Sequence, residues 1–287
     1  MAWTKMTTTL VVAAAVVLTT SLTVVVIQRE SLIEGKTETQ WIKSIVYKGD
    51  YPQVRRWHAL RLTGIHMLTK ALLSPASDRA TRMGAASLLC QLSTGLQDNR
   101  APADETMRQD VKTALPDLLH SLQADKDDGV RANVLACFEE LLPVMSEKEK
   151  APFLPEFLRA VESNESSVRN NGLVALRSYP DQAQVVDSVL LAKLHDPEVV
   201  IRLRAADALV HVDVQTAIKA GVIPVLIEIL KNQDDQIAWQ VPGILGDMGP
   251  KAASAVPALI ASTHGSSRLV ADAATRALQQ IGPASAK

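Results

Sequence analysis

A short pattern of apolar and polar residues recurs along most of the chain. Its clearest copy is residues 201–212, IRLRAADALVHV, in which an apolar–Arg pair is followed by small residues, then Leu and an apolar residue one turn later. Apolar positions three and four residues apart lie on one face of a helix. Each copy therefore predicts one amphipathic helix, and the recurrence predicts a repeat architecture.

The copies of this pattern predict the second helices of a series of helix pairs. In the last two copies Ala replaces the Arg, and the copies begin at Val54–Arg55, Thr81–Arg82, Val130–Arg131, Val168–Arg169, Ile201–Arg202, Ile237–Ala238 and Val270–Ala271. Residues 93–105, between the second and third copies, are rich in turn formers and predict a long loop. Since no segment alternates with a period of two residues, the predicted fold class is all-α.

The first helices share Leu at helical spacing and a Pro close to the first turn, as in PDLLHSL at residues 116–122. Pro is tolerated there because the missing N–H would have no helical partner. Polar turns such as residues 125–129 follow and cap the second helices. One pair cannot bury its apolar stripe alone, so the pairs must stack. Small residues such as Ala205 and Ala206 would allow a close approach, with the second helices lining one curved, concave face.

These features resemble HEAT repeats over roughly residues 41–284. In that family an Asp in the turn precedes a Val–Arg pair, and Asp125 with Arg131 and Asp196 with Arg202 match its spacing. The resemblance implies a right-handed α-α superhelix of about seven helix pairs. It also implies an Asp–Arg ladder that links the turns of successive units.

Residues 7–27 are apolar or Thr, with one Ser and no charge, and are long enough to cross a bilayer as a helix. They predict a membrane anchor at residues 1–29. A cleaved signal peptide and a buried core segment are the alternatives. The flanking charges predict a single-pass membrane protein with the solenoid outside the cytoplasm. The anchor followed by repeats resembles, more loosely, membrane-tethered bacterial HEAT proteins.

Residues 30–40 predict a polar linker, and residues 41–284 the HEAT-repeat solenoid. Gly35–Thr37 looks like the end of a phosphate-binding loop, but Glu30 stands where that motif requires Gly. We therefore reject a nucleotide site in the linker.

Composition and motifs predict no catalytic residue, metal or cofactor. The net charge of −1 and the 3% aromatic content disfavour nucleic-acid binding and a HEAT-like lyase or DNA glycosylase, which remain the alternative function classes. None of the six histidines precedes a Glu, unlike the His–Glu pairs expected of iron-binding HEAT-like hydroxylases. Cys90 and Cys137 predict small buried side chains, although a disulfide between stacked helices is conceivable.

The candidate binding residues are the positions of the second helices that face outward. Tryptophan and arginine there favour contact with a partner, although Trp57 and Trp239 could instead pack between repeats. Val241–Gly243 predicts a kink in its helix. We expect a non-enzymatic, membrane-tethered scaffold that binds a protein or peptide on this face. Its predicted contact residues are Arg56, Trp57, Asn133, Asn170, Asn171, Arg204, Asp207, Trp239 and Gln240.

Overall fold

The structure, a computed structural model, describes residues 31–47, 51–94, 105–232, 235–265 and 267–282. The chain divides into two compact units, Met1–Glu38 and Thr39–Lys287. In the first unit, strands β1 (Leu32–Ile33) and β2 (Lys36–Thr37) pair antiparallel. Glu34 and Gly35 join them with φ of 49° and 78°, the left-handed conformation that a two-residue hairpin turn requires. Part of the predicted linker is therefore a small hairpin.

The remaining described chain is almost entirely helical. The α-helices are α1 (Glu38–Lys43), α2 (Tyr51–Ala59), α3 (Arg61–Leu73), α4 (Arg79–Thr94), α5 (Glu105–Lys112), α6 (Leu115–Ala124), α7 (Asp128–Ala136), α8 (Phe138–Leu141), α9 (Glu147–Lys150), α10 (Leu154–Val161), α11 (Ser166–Leu176), α12 (Ala183–Lys193), α13 (Val199–Val212), α14 (Val214–Lys219), α15 (Val222–Asn232), α16 (Asp235–Ala238), α17 (Val241–Asp247), α18 (Val256–Thr263) and α19 (Arg268–Ile281). Segments of 3₁₀-helix lie at Leu142–Val144, Ala151–Phe153, Pro180–Gln182 and Gly249–Ala255.

The helices pack as the repeat pattern predicts. The pairs α3–α4, α6–α7, α10–α11, α12–α13, α15–α17 and α18–α19 are each in contact. The second helices also contact one another in sequence, from α4 through α7, α11, α13 and α17 to α19. Proline occupies the first turn of α6, α10 and α18, as expected. The prediction of an all-α repeat solenoid is confirmed.

Small residues hold the helices close together. Ala85 and Ala86 on α4 and Ala205 and Ala206 on α13 are fully buried, and both helices contact neighbouring second helices. At Gly172 on α11, an added Cβ atom would lie 3.0 Å from the Cβ of Ala160 and 3.1 Å from the backbone nitrogen of Val161. An alanine at position 172 would therefore require its neighbours to shift by a few tenths of an ångström, and a larger residue would push α10 and α11 apart.

Aromatic side chains fill the core between two middle units. The ring of Phe138 lies 4.7 Å from that of Phe153 and 5.1 Å from that of Phe157, measured between ring centres. Tyr179 packs edge-on against Phe157 at 5.9 Å, and its hydroxyl donates to the Lys150 carbonyl at 3.0 Å. The Tyr179 phenol is therefore buried without losing its hydrogen bond, as buried polar groups require.

Ion pairs connect the turns of successive units. Arg82 donates from Nε to Asp125 Oδ2 at 2.8 Å. In the same way, the Nε of Arg169 lies 3.6 Å from Asp196 Oδ2, and its Nη2 donates to Glu198 Oε1 at 2.5 Å. In both cases the arginine belongs to one unit and the carboxylate to the next. Asp125 and Asp196 therefore each contact an arginine of the preceding unit, Arg82 and Arg169 respectively.

Among the residues that the structure describes, the other two arginines expected in the ladder make contacts within their own units. Arg131 pairs with Asp128 of the same helix at 2.9 Å. Arg202 donates to the carbonyl oxygens of Asp196 and Pro197 in its own turn. For Arg131 the reason is visible in the sequence, since the next turn, residues 163–167, contains no Asp.

The expected helix kink is confirmed: α16 ends at Ala238 and α17 begins at Val241, with Pro242 in its first turn. Two other expectations fall mainly outside the described residues, namely the loop at residues 93–105 and the anchor at residues 7–27.

The predicted single-pass membrane location is contradicted. No helix in the part of the chain that the structure describes is long and apolar enough to cross a bilayer. The expectation that the solenoid lies outside the cytoplasm depended on such a span and is withdrawn with it.

Replacing Arg169 with Met should lower the free energy of unfolding by about 1–3 kcal/mol, measured by urea denaturation. The Arg169 side chain is only 10% exposed, and its loss leaves the 9%-exposed carboxylate of Asp196 without its cation. Arg268→Met is the matched control, because that side chain is 95% exposed and should contribute less than about 0.5 kcal/mol. Equal losses in the two variants would contradict a structural role for the link between units.

Candidate partner-binding face

The second-helix face is the surface formed by α7, α11, α13, the turn between α16 and α17, and α19. Hydrogen bonds between side chains of neighbouring helices run along it. Asn171 on α11 donates from Nδ2 to the Ala132 carbonyl on α7 at 2.8 Å. Arg204 on α13 donates from Nε to Asn170 Oδ1 on α11 at 3.2 Å, and Asn170 donates to Asn171 Oδ1 at 2.8 Å. These half-buried side chains are thus held in place across three units.

Two other predicted contact residues have simpler surroundings. Asn133 on α7 is half-buried and donates from Nδ2 to the Gly129 carbonyl of its own helix at 2.7 Å. Arg56 on α2 is exposed. Neither residue takes part in the hydrogen bonds that cross between α7, α11 and α13.

Trp57 does not belong to an exposed face. It is 1% exposed, and its ring packs edge-on against Trp41 with the ring centres 5.4 Å apart. The sequence leaves open whether Trp57 contacts a partner or packs in the core, and in the structure it packs in the core. A partner therefore has no access to this side chain.

Asp207 is also buried, at 4% exposure, although its register predicts an outward position. Its carboxylate accepts ion-pair contacts from Arg177 Nη1 at 3.2 Å and from His211 Nδ1 at 3.3 Å. His211 Nε2 in turn lies 3.7 Å from Asp247 Oδ2 on α17. Asp207 can stay buried because two basic groups compensate its charge. It therefore orients Arg177 and His211 instead of facing a partner.

The environment of His211 favours its protonated form. The hydrogen bond to the Asp207 carboxylate raises the pKa of the imidazole, which outweighs the opposing effects of burial and of Arg177. The side chain remains 29% exposed. The charge on this part of the face therefore changes within the range where histidine titrates.

A cleft of about 360 Å³ opens beside these residues, where α13, α17 and α19 meet. Trp239 lies at its edge, 41% exposed, and Gln240 is next to it in the turn before α17. The lining is completed by Arg177, Arg204, Asp207, Gly243, Ile244, Asp247, Ala273, Arg276 and Gln280. The volume falls in the range of ligand-binding clefts. Of the two roles left open for Trp239, exposure favours contact with a partner.

Several lining residues were missed from the sequence although a signal existed. Counting from Arg202, Asp207 is five residues along its helix, and the same count from Ala238 and Ala271 gives Gly243 and Arg276. The three positions line the same cleft from successive units. Applying the register of Asp207 to the last two repeats would have found both residues. Arg177 had no such signal, because it directly follows α11 and is placed by its pairing with Asp207.

The two cysteines are free and lie in contact. Their mutual hydrogen bond, together with burial, raises the pKa of the Cys137 thiol, and the same hydrogen bond lowers the pKa of Cys90. Cys137 also donates to the Ala86 carbonyl at 3.6 Å. Among the described residues, no three His, Cys, Asp or Glu side chains are grouped so that they could hold a metal ion.

Replacing His211 with Gln should destabilise the protein more at pH 5.5 than at pH 8.5. A group whose pKa is raised on folding stabilises the fold most below its unfolded pKa and loses that contribution as the pH rises through the folded value. His195→Gln, an exposed histidine with no side-chain partner among the described residues, corrects for the general effect of pH. The measurement is the difference in unfolding free energy between wild type and variant. If that difference is the same at both pH values, the His211–Asp207 contact does not stabilise the protein.

Comparison with known proteins supports the fold. A sequence profile of the HEAT repeats family matches residues 186–279. No curated protein matches the sequence. An engineered protein of known structure aligns with a TM-score of 0.57 at 20% identity, covering 76% of this chain and 98% of its own. The archaeal HEAT-like repeats protein from Thermococcus onnurineus NA1 aligns with a TM-score of 0.53 at 12% identity, covering 86% and 97%.

A third similar structure is a designed armadillo repeat protein in complex with the peptide (KR)4. It aligns with a TM-score of 0.54 at 17% identity, covering 76% of this chain and 99% of its own. At these identities the likeness concerns the fold alone. The profile match, the stacked helix pairs and these alignments identify the helical unit as a HEAT/armadillo-like repeat solenoid.

Proposed function

We propose that this protein is a non-enzymatic scaffold that binds an extended segment of a partner protein along the second-helix face. The observation that supports this best is the cleft beside Trp239, where an exposed indole adjoins arginine and glutamine side chains. Trp and Arg are the residue types that most often dominate binding energy at interfaces. An extended segment fits a repeat surface because both present their groups at regular intervals.

The half-buried amides on α7 and α11 would continue the site along the second-helix face. Asn133, Asn170 and Asn171 carry both donors and acceptors, which can match the N–H and C=O groups of a peptide backbone. The cross-helix bonds of Asn171 and Arg204 keep their side chains in position before a partner arrives. Such preorganisation lowers the entropy lost on binding.

The related fold of the designed armadillo repeat protein adds support, because that protein is in complex with a peptide.

The titratable groups beside the cleft hold one another in position. Asp207 is engaged by both Arg177 and His211, so that its carboxylate is occupied by contacts within the protein. We therefore assign no catalytic residue.

A bulky side chain at position 243 should block binding. Gly243 is exposed in the cleft, and a Cβ atom added there would meet no atom within 4 Å. Gly243→Trp should therefore fold normally but fill the cleft, weakening peptide binding at least tenfold, which is about 1.4 kcal/mol. Gly243→Ala is the matched control. It should keep wild-type affinity, and its unfolding free energy should rise by about 0.5–1 kcal/mol because Ala favours helix.

The test uses peptides selected from a random 12-residue display library on the purified wild-type protein. Their affinities for wild type, Gly243→Trp and Gly243→Ala are then measured by fluorescence anisotropy, with circular dichroism as the folding check. Peptides that bind the two variants equally well would move the site away from this cleft. A library that yields no peptide with measurable affinity would contradict the proposed function itself.

A further inference from the structure

The charges lining the Trp239 cleft are unequally compensated. Its lining contains three arginines and two aspartates. Asp207 is buried and paired with Arg177 at 3.2 Å, so those two charges are satisfied within the protein. Asp247 is half-exposed, and the nearest basic nitrogen is His211 Nε2 at 3.7 Å. The charges left to face an incoming ligand are therefore those of the other two arginines and of Asp247, two positive charges against one negative.

Neither Arg204 nor Arg276 is paired with a carboxylate in the part of the chain that the structure describes. The contact of the Arg204 guanidinium is the neutral amide oxygen of Asn170 at 3.2 Å. Arg276 lies exposed on α19 and makes no hydrogen bond or ion pair with another described residue. A guanidinium is always charged and offers five N–H donors in a planar arrangement that matches a carboxylate. These two arginines thus retain unused binding capacity on the wall of the cleft.

The apolar part of the same cleft adds a second requirement. The indole of Trp239 is 41% exposed, and Gly243 leaves the neighbouring surface without a side chain. A ligand that fills the cleft must therefore place an apolar group against Trp239 while presenting negative charge to the arginines. An Asp or Glu side chain near an apolar side chain in an extended segment satisfies both conditions.

We propose that the Trp239 cleft selects an acidic peptide segment, in which an Asp or Glu carboxylate binds Arg204 and Arg276 and an adjoining apolar side chain packs on Trp239. This specificity rests on the proposed peptide-binding function and states which peptides that surface takes. It is opposite in charge to the basic (KR)4 peptide bound by the designed armadillo repeat protein.

The test measures whether peptide and protein charges are coupled. Each peptide from the display selection is synthesised with a fluorescein label in three forms: the acidic parent, the form with Glu and Asp replaced by Gln and Asn, and the form with Lys at those positions. Affinities are measured for wild type, Arg276→Glu and Arg268→Glu. Arg268 is on the same helix, 95% exposed and outside the cleft, so its replacement makes the same change in net charge.

We expect the amide form to bind wild type about tenfold more weakly than the acidic parent, as for loss of a charge-assisted hydrogen bond. Arg276→Glu should weaken binding of the acidic parent about tenfold and strengthen binding of the Lys form by a similar factor. Arg268→Glu should change each affinity less than about threefold, because an exposed charge outside the site is screened.

Three results would overturn the acidic specificity while leaving peptide binding intact. The selected peptides could lack Asp and Glu, the amide form could bind as tightly as its parent, or Arg276→Glu could act no differently from Arg268→Glu. A fourth, tighter binding of a 12-nucleotide oligothymidine that is lost in Arg276→Glu, would assign the arginines to nucleic acid instead. Failure to obtain any peptide contradicts the proposed function instead, so the two failures are distinguishable.

Discussion

Close packing between neighbouring helices is the constraint on which the rest of this structure depends. The buried alanines Ala85 on α4 and Ala205 on α13, and Gly172 on α11 opposite Ala160 on α10, leave little space for larger side chains. The backbones therefore approach closely, and the apolar stripe of each helix is covered by its neighbours. The same approach brings Arg82 within reach of Asp125, and Arg169 within reach of Asp196. The ion pairs between units are thus a consequence of the packing.

Most of the helical fold was predictable because its signals are local. The period of apolar residues marks each helix, and Pro marks the first turn of α6, α10 and α18. Pro242 likewise marks the first turn of α17, after the break in the helix before Val241. These features depend on residues a few positions apart. The Asp–Arg ladder was harder to predict because its ion pairs join residues of different units, which are far apart in the sequence. Spacing within one turn marks Asp125 and Arg131 as ladder residues, whereas the stacking of units decides that Asp125 pairs with Arg82 and Arg131 with Asp128.

The candidate site shows the same limit more clearly. Trp57 lies two residues after Arg55 and Trp239 one residue after Ala238, so the two side chains do not share a register. Trp57 packs against Trp41, whereas Trp239 follows the end of α16 and stays exposed. Asp207 is buried because Arg177 of the preceding unit compensates its charge. Periodicity thus predicts which positions share the face, whereas contacts between units decide which of its side chains are exposed.

The interruption between α16 and α17 has a consequence for how a repetitive surface could be read. A uniform array of identical units would let a bound chain shift by one repeat at little cost in energy. Here Trp239 stands in a turn where the corresponding residues of α11 and α13 continue a helix, so this unit differs from the units beside it. Sliding a ligand by one unit would remove its apolar group from the only indole that lines this cleft. If the proposed function is correct, a single irregular repeat would give a bound segment one preferred alignment on the whole surface.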